Sequence, residues 1–199
     1  MLCRLASSVT LALAVAGAVA CARPNGAPRE ITVCTSLPLS GRAHDAGEQM
    51  RRGYERAVAE VNRAGGLRWR GSGGVLPVSL QVRDDEGHPA QVEAATEAFM
   101  AGGCDLLLGT ASPVRMAVQV SVAERLHRPL FLDVHDSPGF PLSRARWTVP
   151  VAAEGDLEAR AHAVASAALR VLRAARRTDA GVLRDTARQI LPAPAAPAD

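Results

Sequence analysis

Two hydrophobic rhythms alternate along this chain. Ile31-Thr32-Val33-Cys34-Thr35 is short, apolar and β-branched, as a buried parallel strand requires. The stretch Ser36 to Gly47 carries the Pro, Ser and Gly of a loop. Met50, Tyr54, Ala57, Val58 and Val61 then recur at helical spacing, with Arg51, Arg52, Glu55 and Glu60 mostly on other faces. Gly65-Gly66 supplies the left-handed residue that ends a helix, and Gly71 to Gly74 reads as a surface loop. Val78, Leu80 and Val82 alternate, which predicts a second strand terminating at Asp84-Asp85.

The alternation continues. Pro89 suits the first turn of a helix whose inner face is Val92, Ala95 and Phe99, and Gly102-Gly103 stops it. Leu106-Leu107-Leu108 predicts a third strand, followed by a turn over Gly109 to Pro113 and a helix through Leu126. Pro129 to Val134 predicts a fourth. Beyond Pro150 no strand is expected; Leu157, Ala161, Val164, Ala165, Ala168 and Leu172 mark a long amphipathic helix. Asp179 to Leu191 follows as a shorter one, capped near Thr178 or Asp179. Strands alternating with helices at this spacing predict right-handed βαβ units, a parallel sheet with helices on both faces.

Composition narrows the function. The chain has 199 residues and 48% hydrophobic content, enough for one core. Its basic residues are all Arg, scattered among 20 acidic ones, and the net charge is +3 with only six aromatic residues. Nucleic acid is therefore not an expected partner. Arg4 precedes an apolar run, Val9 to Ala20, that is too short to span a bilayer comfortably and ends in small residues. Residues 1–20 read as a signal peptide. Ala18-Val19-Ala20 suits ordinary signal peptidase, and the same residues before Cys21 resemble a bacterial lipobox, the favoured reading, with Cys21 as the lipidation site. Residues 21–30 are then a tether, 31–191 the folded body, and the Ala/Pro-rich 192–199 a disordered tail.

Cys34 and Cys104 fall in predicted buried strands, where a free Cys commonly acts as a small hydrophobe; a bridge between them is the minor alternative. No spacing of Cys and His suits zinc. Asp133, His135 and Asp136, or Asp84, Asp85, Glu86 and His88, have ligand-like side chains but read more simply as solvated turns. No nucleophile elbow or suitable Gly-rich phosphate loop appears, so neither an enzyme nor a cofactor is expected.

Pro38-Leu39-Ser40-Gly41, Asn62 to Gly66, Asp84-Asp85 with Pro89-Ala90, Gly102-Gly103, Leu108-Gly109, and Val122 to Arg125 before Pro129-Leu130 occur in this order. Together they resemble the amino-terminal lobe of the periplasmic branched-chain amino-acid (Leu/Ile/Val)-binding proteins. The resemblance covers Ile31 to Pro138, and residues 156–191 resemble that family's late helical pair. It implies a three-layer α/β architecture, a single lobe of the type I periplasmic-binding-protein fold. A truncated or frameshifted chain, with Ala161 to Arg177 opening a second lobe, is the other reading of the late helices.

The resemblance further implies a solute-binding component of an ABC importer, taking a small amino acid or amide and docking on a permease. The alternatives are a membrane-tethered interaction module, two copies of which could rebuild a cleft as a homodimer, or a degenerate fragment. The family's ligand loops match Ser112 and Pro113, His135, Asp136 and Ser137, with Ala46 where an aromatic cover is expected. Pro113 offers neither N–H nor hydroxyl, and His135 and Asp136 replace small apolar residues. Ser112 also suits a helix cap, and Arg115 suits either a ligand carboxylate or a surface pair with Asp136. Location follows: exported, periplasmic or anchored in the cell envelope.

Overall fold

The computed structural model describes residues 30–70, 73–110, 112–136 and 145–192. The leader, Cys21, Ser137 and the tail 193–199 lie outside these. Strands β1 (Ile31–Leu37), β4 (Val78–Asp84), β5 (Leu106–Leu108), β6 (Leu130–Asp133) and β7 (Thr148–Val151) form one sheet in the order β4-β1-β5-β6-β7. All four pairings are parallel. Two short strands, β2 (Leu67–Arg68) and β3 (Val75–Leu76), pair antiparallel as a ribbon between α1 (His44–Arg63) and β4.

Helices cover both faces, and the strand alternation decides which side chain meets which helix. Leu106, Leu108 and Phe131 face α1 and α4 (Leu157–Ala175), together with Ile31, Val33, Met50 and Tyr54. Leu107, Leu130, Leu132 and Cys34 face α2 (Pro89–Ala101) and α3 (Pro113–Leu126), meeting Phe99, Met116 and Val120. Helix α5 (Ala180–Ile190) adds Leu183 and Ala187 to the α1–α4 side. The predicted three-layer α/β sheet with helices on both faces is what the chain forms.

The motif residues do structural work at the element ends. Asn62 closes α1 onto β4: its Nδ2 donates to the Val78 carbonyl at 2.8 Å, and its Oδ1 accepts from the Val78 N–H at 2.9 Å. Gly66 (φ 90°) turns the chain there, where a Cβ would lie 2.4 Å from the Leu76 carbonyl oxygen. Asp156 caps α4 by accepting from the Ala159 N–H at 2.8 Å, while Asp179 stands at the α5 cap position without a side-chain cap bond.

Several expectations need correction. Helix α1 begins at His44, preceded by a 3-10 turn at Gly41–Ala43, so the loop after β1 is shorter than 36–47. Strand β7 was not expected, nor the β2–β3 ribbon. Cys34 and Cys104 are joined in a disulfide, with their Cα atoms 6.2 Å apart. Cys104 precedes β5 rather than lying in it, which lets it reach across to neighbouring β1.

Candidate functional site

Because every sheet strand is parallel, the loops after β1, β4, β5, β6 and β7 emerge at one edge, where open α/β sheets bind ligands. The first of these, Pro38 to Ser40, is held from below. Asp84 Oδ1 accepts from the N–H groups of Leu39 and Glu86, both at 2.8 Å. Slight burial opposes ionisation of Asp84, but the Ser40 hydroxyl and these N–H groups outweigh it and hold the carboxyl below its ordinary value. Gly47 lets α1 pass under this loop, since a Cβ there would meet the Pro38 carbonyl oxygen at 2.1 Å.

The loop after β5 is tied to β1 by residues that the sequence did not single out. Tyr54 on α1 donates its hydroxyl to the Gly109 carbonyl at 2.7 Å. Gln119 on α3 accepts from the Thr110 N–H at 2.9 Å and donates to Ser36 Oγ at 3.3 Å. Thr110 is 2% exposed, and its Oγ1 has no hydrogen-bond partner among the described residues. A buried hydroxyl placed here is a polar group at the sheet's carboxyl edge, beside the α3 amino terminus.

Ser112 stands at the amino-terminal cap position of α3 with φ 120° and ψ 122°. That is strained backbone for a residue with a Cβ. Its carbonyl accepts from the Met116 N–H, but its side chain makes no cap bond, contrary to the capping expectation. Pro113 is the first residue of α3 and contributes no N–H.

The loop after β6 is a 3-10 turn, Val134–Asp136. Asp133, 8% exposed, organises it by accepting from the His135 N–H at 3.1 Å and lying 3.0 Å from His135 Nδ1. Its other oxygen pairs with Arg160 Nε of α4 at 2.5 Å. His135 is exposed at the turn, and Asp136 ends it. Asp133 thus joins the turn to α4 through its pair with Arg160. Among the described residues no group of three or more His, Cys, Asp or Glu is placed to hold a metal ion, and no helix is long and apolar enough to cross a membrane.

Two assignments move. Ala46 is half-buried inside α1 rather than on a loop. Arg115 is not a surface residue: it is buried, with Nη1 3.4 Å from Asp85 Oδ1. Asp85 is fully buried in the loop after β4. Burial pushes its carboxyl up, against the Gly87 N–H and the Arg115 charge. The geometry therefore brings Ser112 and Pro113, the 134–136 turn and the Pro38–Ser40 loop to one edge. Ala46 borders it from the first turn of α1.

The family model described as periplasmic binding protein matches residues 30–186. Among curated relatives, Leu/Ile/Val-binding protein homolog 3 of Brucella melitensis is 31% identical over 118 residues, 59% of this chain and 28% of that protein. Leu/Ile/Val-binding protein BraC3 of Rhizobium johnstonii is 30% identical over 97 residues, covering 49% and 24% respectively. The chain thus spans about a quarter of the length of these relatives. Among solved structures, the branched-chain amino acid transporter substrate binding protein of Streptococcus pneumoniae, in complex with isoleucine, superposes with a TM-score of 0.52 at 20% identity. It covers 61% of this chain and 33% of that one. An ABC-type branched-chain amino acid transporter protein from Rhodopseudomonas palustris gives 0.50 at 18% identity, over 62% and 32%. At such identities these structures speak for the fold alone.

Proposed function

The chain belongs to the periplasmic binding protein family, and from that premise we propose that it is the solute-binding component of an amino-acid ABC importer in single-lobe form. It takes a small amino acid or amide at the carboxyl edge of the sheet and docks on a permease. The observation that carries this reading is Ser112: a strained residue whose hydroxyl is not spent on capping, beside the buried hydroxyl of Thr110. Ser112, Ser137 and the open α3 terminus take the ligand's carboxylate, and His135 and Asp136 set the charge around its amino group. Pro113 removes one donor, and Ala46 leaves the side chain uncovered. With one wall of a cleft, the affinity is low.

Residues 31–191 form the lobe, in which 156–191 supply the late helices. The packing of α4 and α5 on the α1 side of the sheet supports this. Export through the 1–20 leader, with anchoring at Cys21, places the lobe in the oxidising cell envelope. The Cys34–Cys104 disulfide favours that compartment.

A thermal-shift screen of amino acids and amides tests the reading. A ligand at a hundred times its dissociation constant stabilises by about 2.7 kcal/mol, or about 5–10 °C for a chain of this size. Ser112→Ala should keep the unliganded melting temperature and lose most of the shift. No shift with any amino acid at millimolar concentration overturns solute capture and leaves the interaction module. For location, Cys21→Ser should release the protein from membranes; retention overturns the anchor.

A further inference from the structure

Away from the carboxyl edge, a hollow of ≈ 240 Å³ opens between β7 and α5. Its floor is apolar, with Val149, Pro150, Ala187 and Leu191, and its rim carries Arg146, Arg184 and Arg188. Arg184 is committed: its guanidinium lies 4.7 Å above the Trp147 ring and pairs with Asp185 at 2.8 Å. Arg146 is exposed and has no carboxylate partner among the described residues. Arg188 donates to the Arg146 carbonyl at 3.4 Å and, with Arg184, helps to lower the Asp185 carboxyl. Another carboxylate, Glu124, accepts from the N–H groups of Arg146 and Trp147 and from the Thr148 hydroxyl. Among the described residues, three cations thus meet two carboxylates beside an apolar floor.

We propose that this hollow is a second ligand site, separate from the cleft, that takes an aliphatic monocarboxylate. The carboxylate sits between Arg146 and Arg188, whose forked donors suit it, and the chain lies along Val149, Pro150, Ala187 and Leu191. The surplus positive charge among the described residues suits an anion, and the apolar floor disfavours a fully hydrated one such as phosphate. The site stands whether or not the carboxyl edge captures a solute.

The test titrates the full chain with hexanoate, hexylammonium and inorganic phosphate, following amide and methyl chemical shifts. Saturable hexanoate binding should move Val149, Ala187 and Leu191, and it should weaken about tenfold or more in Arg146→Glu/Arg188→Glu. Hexylammonium should not bind, and phosphate should bind at least about tenfold more weakly. Arg146→Gln, a change at an exposed position, repeats the test if the double variant fails to fold. Ser112→Ala should leave hexanoate binding intact, which separates this hollow from the cleft. Hexanoate binding that survives the Arg variants, that is lost with Ser112→Ala, or that fails to saturate by about 10 mM overturns the proposal.

Discussion

The two faces of the sheet are built by different means. Against α1 and α4 the apolar cluster is the larger, and α4 alone contributes Ala161, Val164, Ala165, Ala168, Leu169, Val171 and Leu172. Buried polar groups such as Asp133, paired to Arg160 of α4, come only towards the carboxyl edge of the sheet. Against α2 and α3 the apolar cluster is smaller, and buried polar groups interrupt it: Thr96, Gln119, and Arg115 with Asp85. Each polar group must be paired to avoid a penalty, so it adds order more than stability. The Cys34–Cys104 disulfide lies on this second face, fastening β1 to the entry of β5. One face is held by burial, and the other is stapled.

The largest effect should follow from removing the staple. Its half-cystines are 70 residues apart, and closing a loop of that length restricts the unfolded chain by about 4 kcal/mol. Cys34→Ala/Cys104→Ala should lower stability by about that amount in denaturant titration. Hydrogen exchange should rise first in α2 and α3, with α1 and α4 protected longest. Uniform loss of protection across both faces would erase the distinction.

This contrast was only half visible in the sequence. The apolar periods of Met50 to Val61 and Leu157 to Leu172 announced α1 and α4, because each helix turns one continuous apolar stripe to the sheet. Leu106 to Leu108 announced β5 for the same reason. Strand β7 stayed hidden because Pro150 interrupts its two valines, a pattern tolerated at a sheet edge, and β7 is an edge. The start of α1 was masked by the turn-forming residues Ser40 to Gly47. The disulfide depends on β1 and β5 being neighbours, which strand order alone decides. At the site, the order of the loops was legible, and so was the turn that leads through Ser112 and Pro113 into α3. Thr110, Gln119 and the burial of Arg115 were not, since each depends on how α3 is rotated over the sheet.

The burial-held face offers a smaller but sharper probe at Gly53. A Cβ there would lie 2.3 Å from the Glu158 carbonyl oxygen and 2.9 Å from Ala161 Cβ, so α1 and α4 touch backbone to backbone at this point. Gly53→Ala gains about 1 kcal/mol of helix propensity, yet it must push α1 away from α4, and their close packing cannot yield. A net loss of about 2 kcal/mol is expected, measurable by denaturant titration. A stabilised variant would mean that the junction is loose and that burial does not hold it.

The same junction carries the smallest effect. Glu158 on α4 bridges Arg52 and Arg56 of α1, each at 3.0 Å, but the two arginines are 50% and 44% exposed. Solvent screens such pairs, and ordering three long side chains offsets most of the attraction. Glu158→Gln should therefore cost about 0.5 kcal/mol, a small fraction of the Gly53→Ala loss at the same crossing. That cost should shrink further at high salt, whereas the Gly53→Ala loss should not. If Glu158→Gln costs as much as Gly53→Ala, then ion pairs rather than close-packed apolar side chains hold α4 on the lobe. The first face would then be fastened at its surface, as the second is fastened by its disulfide.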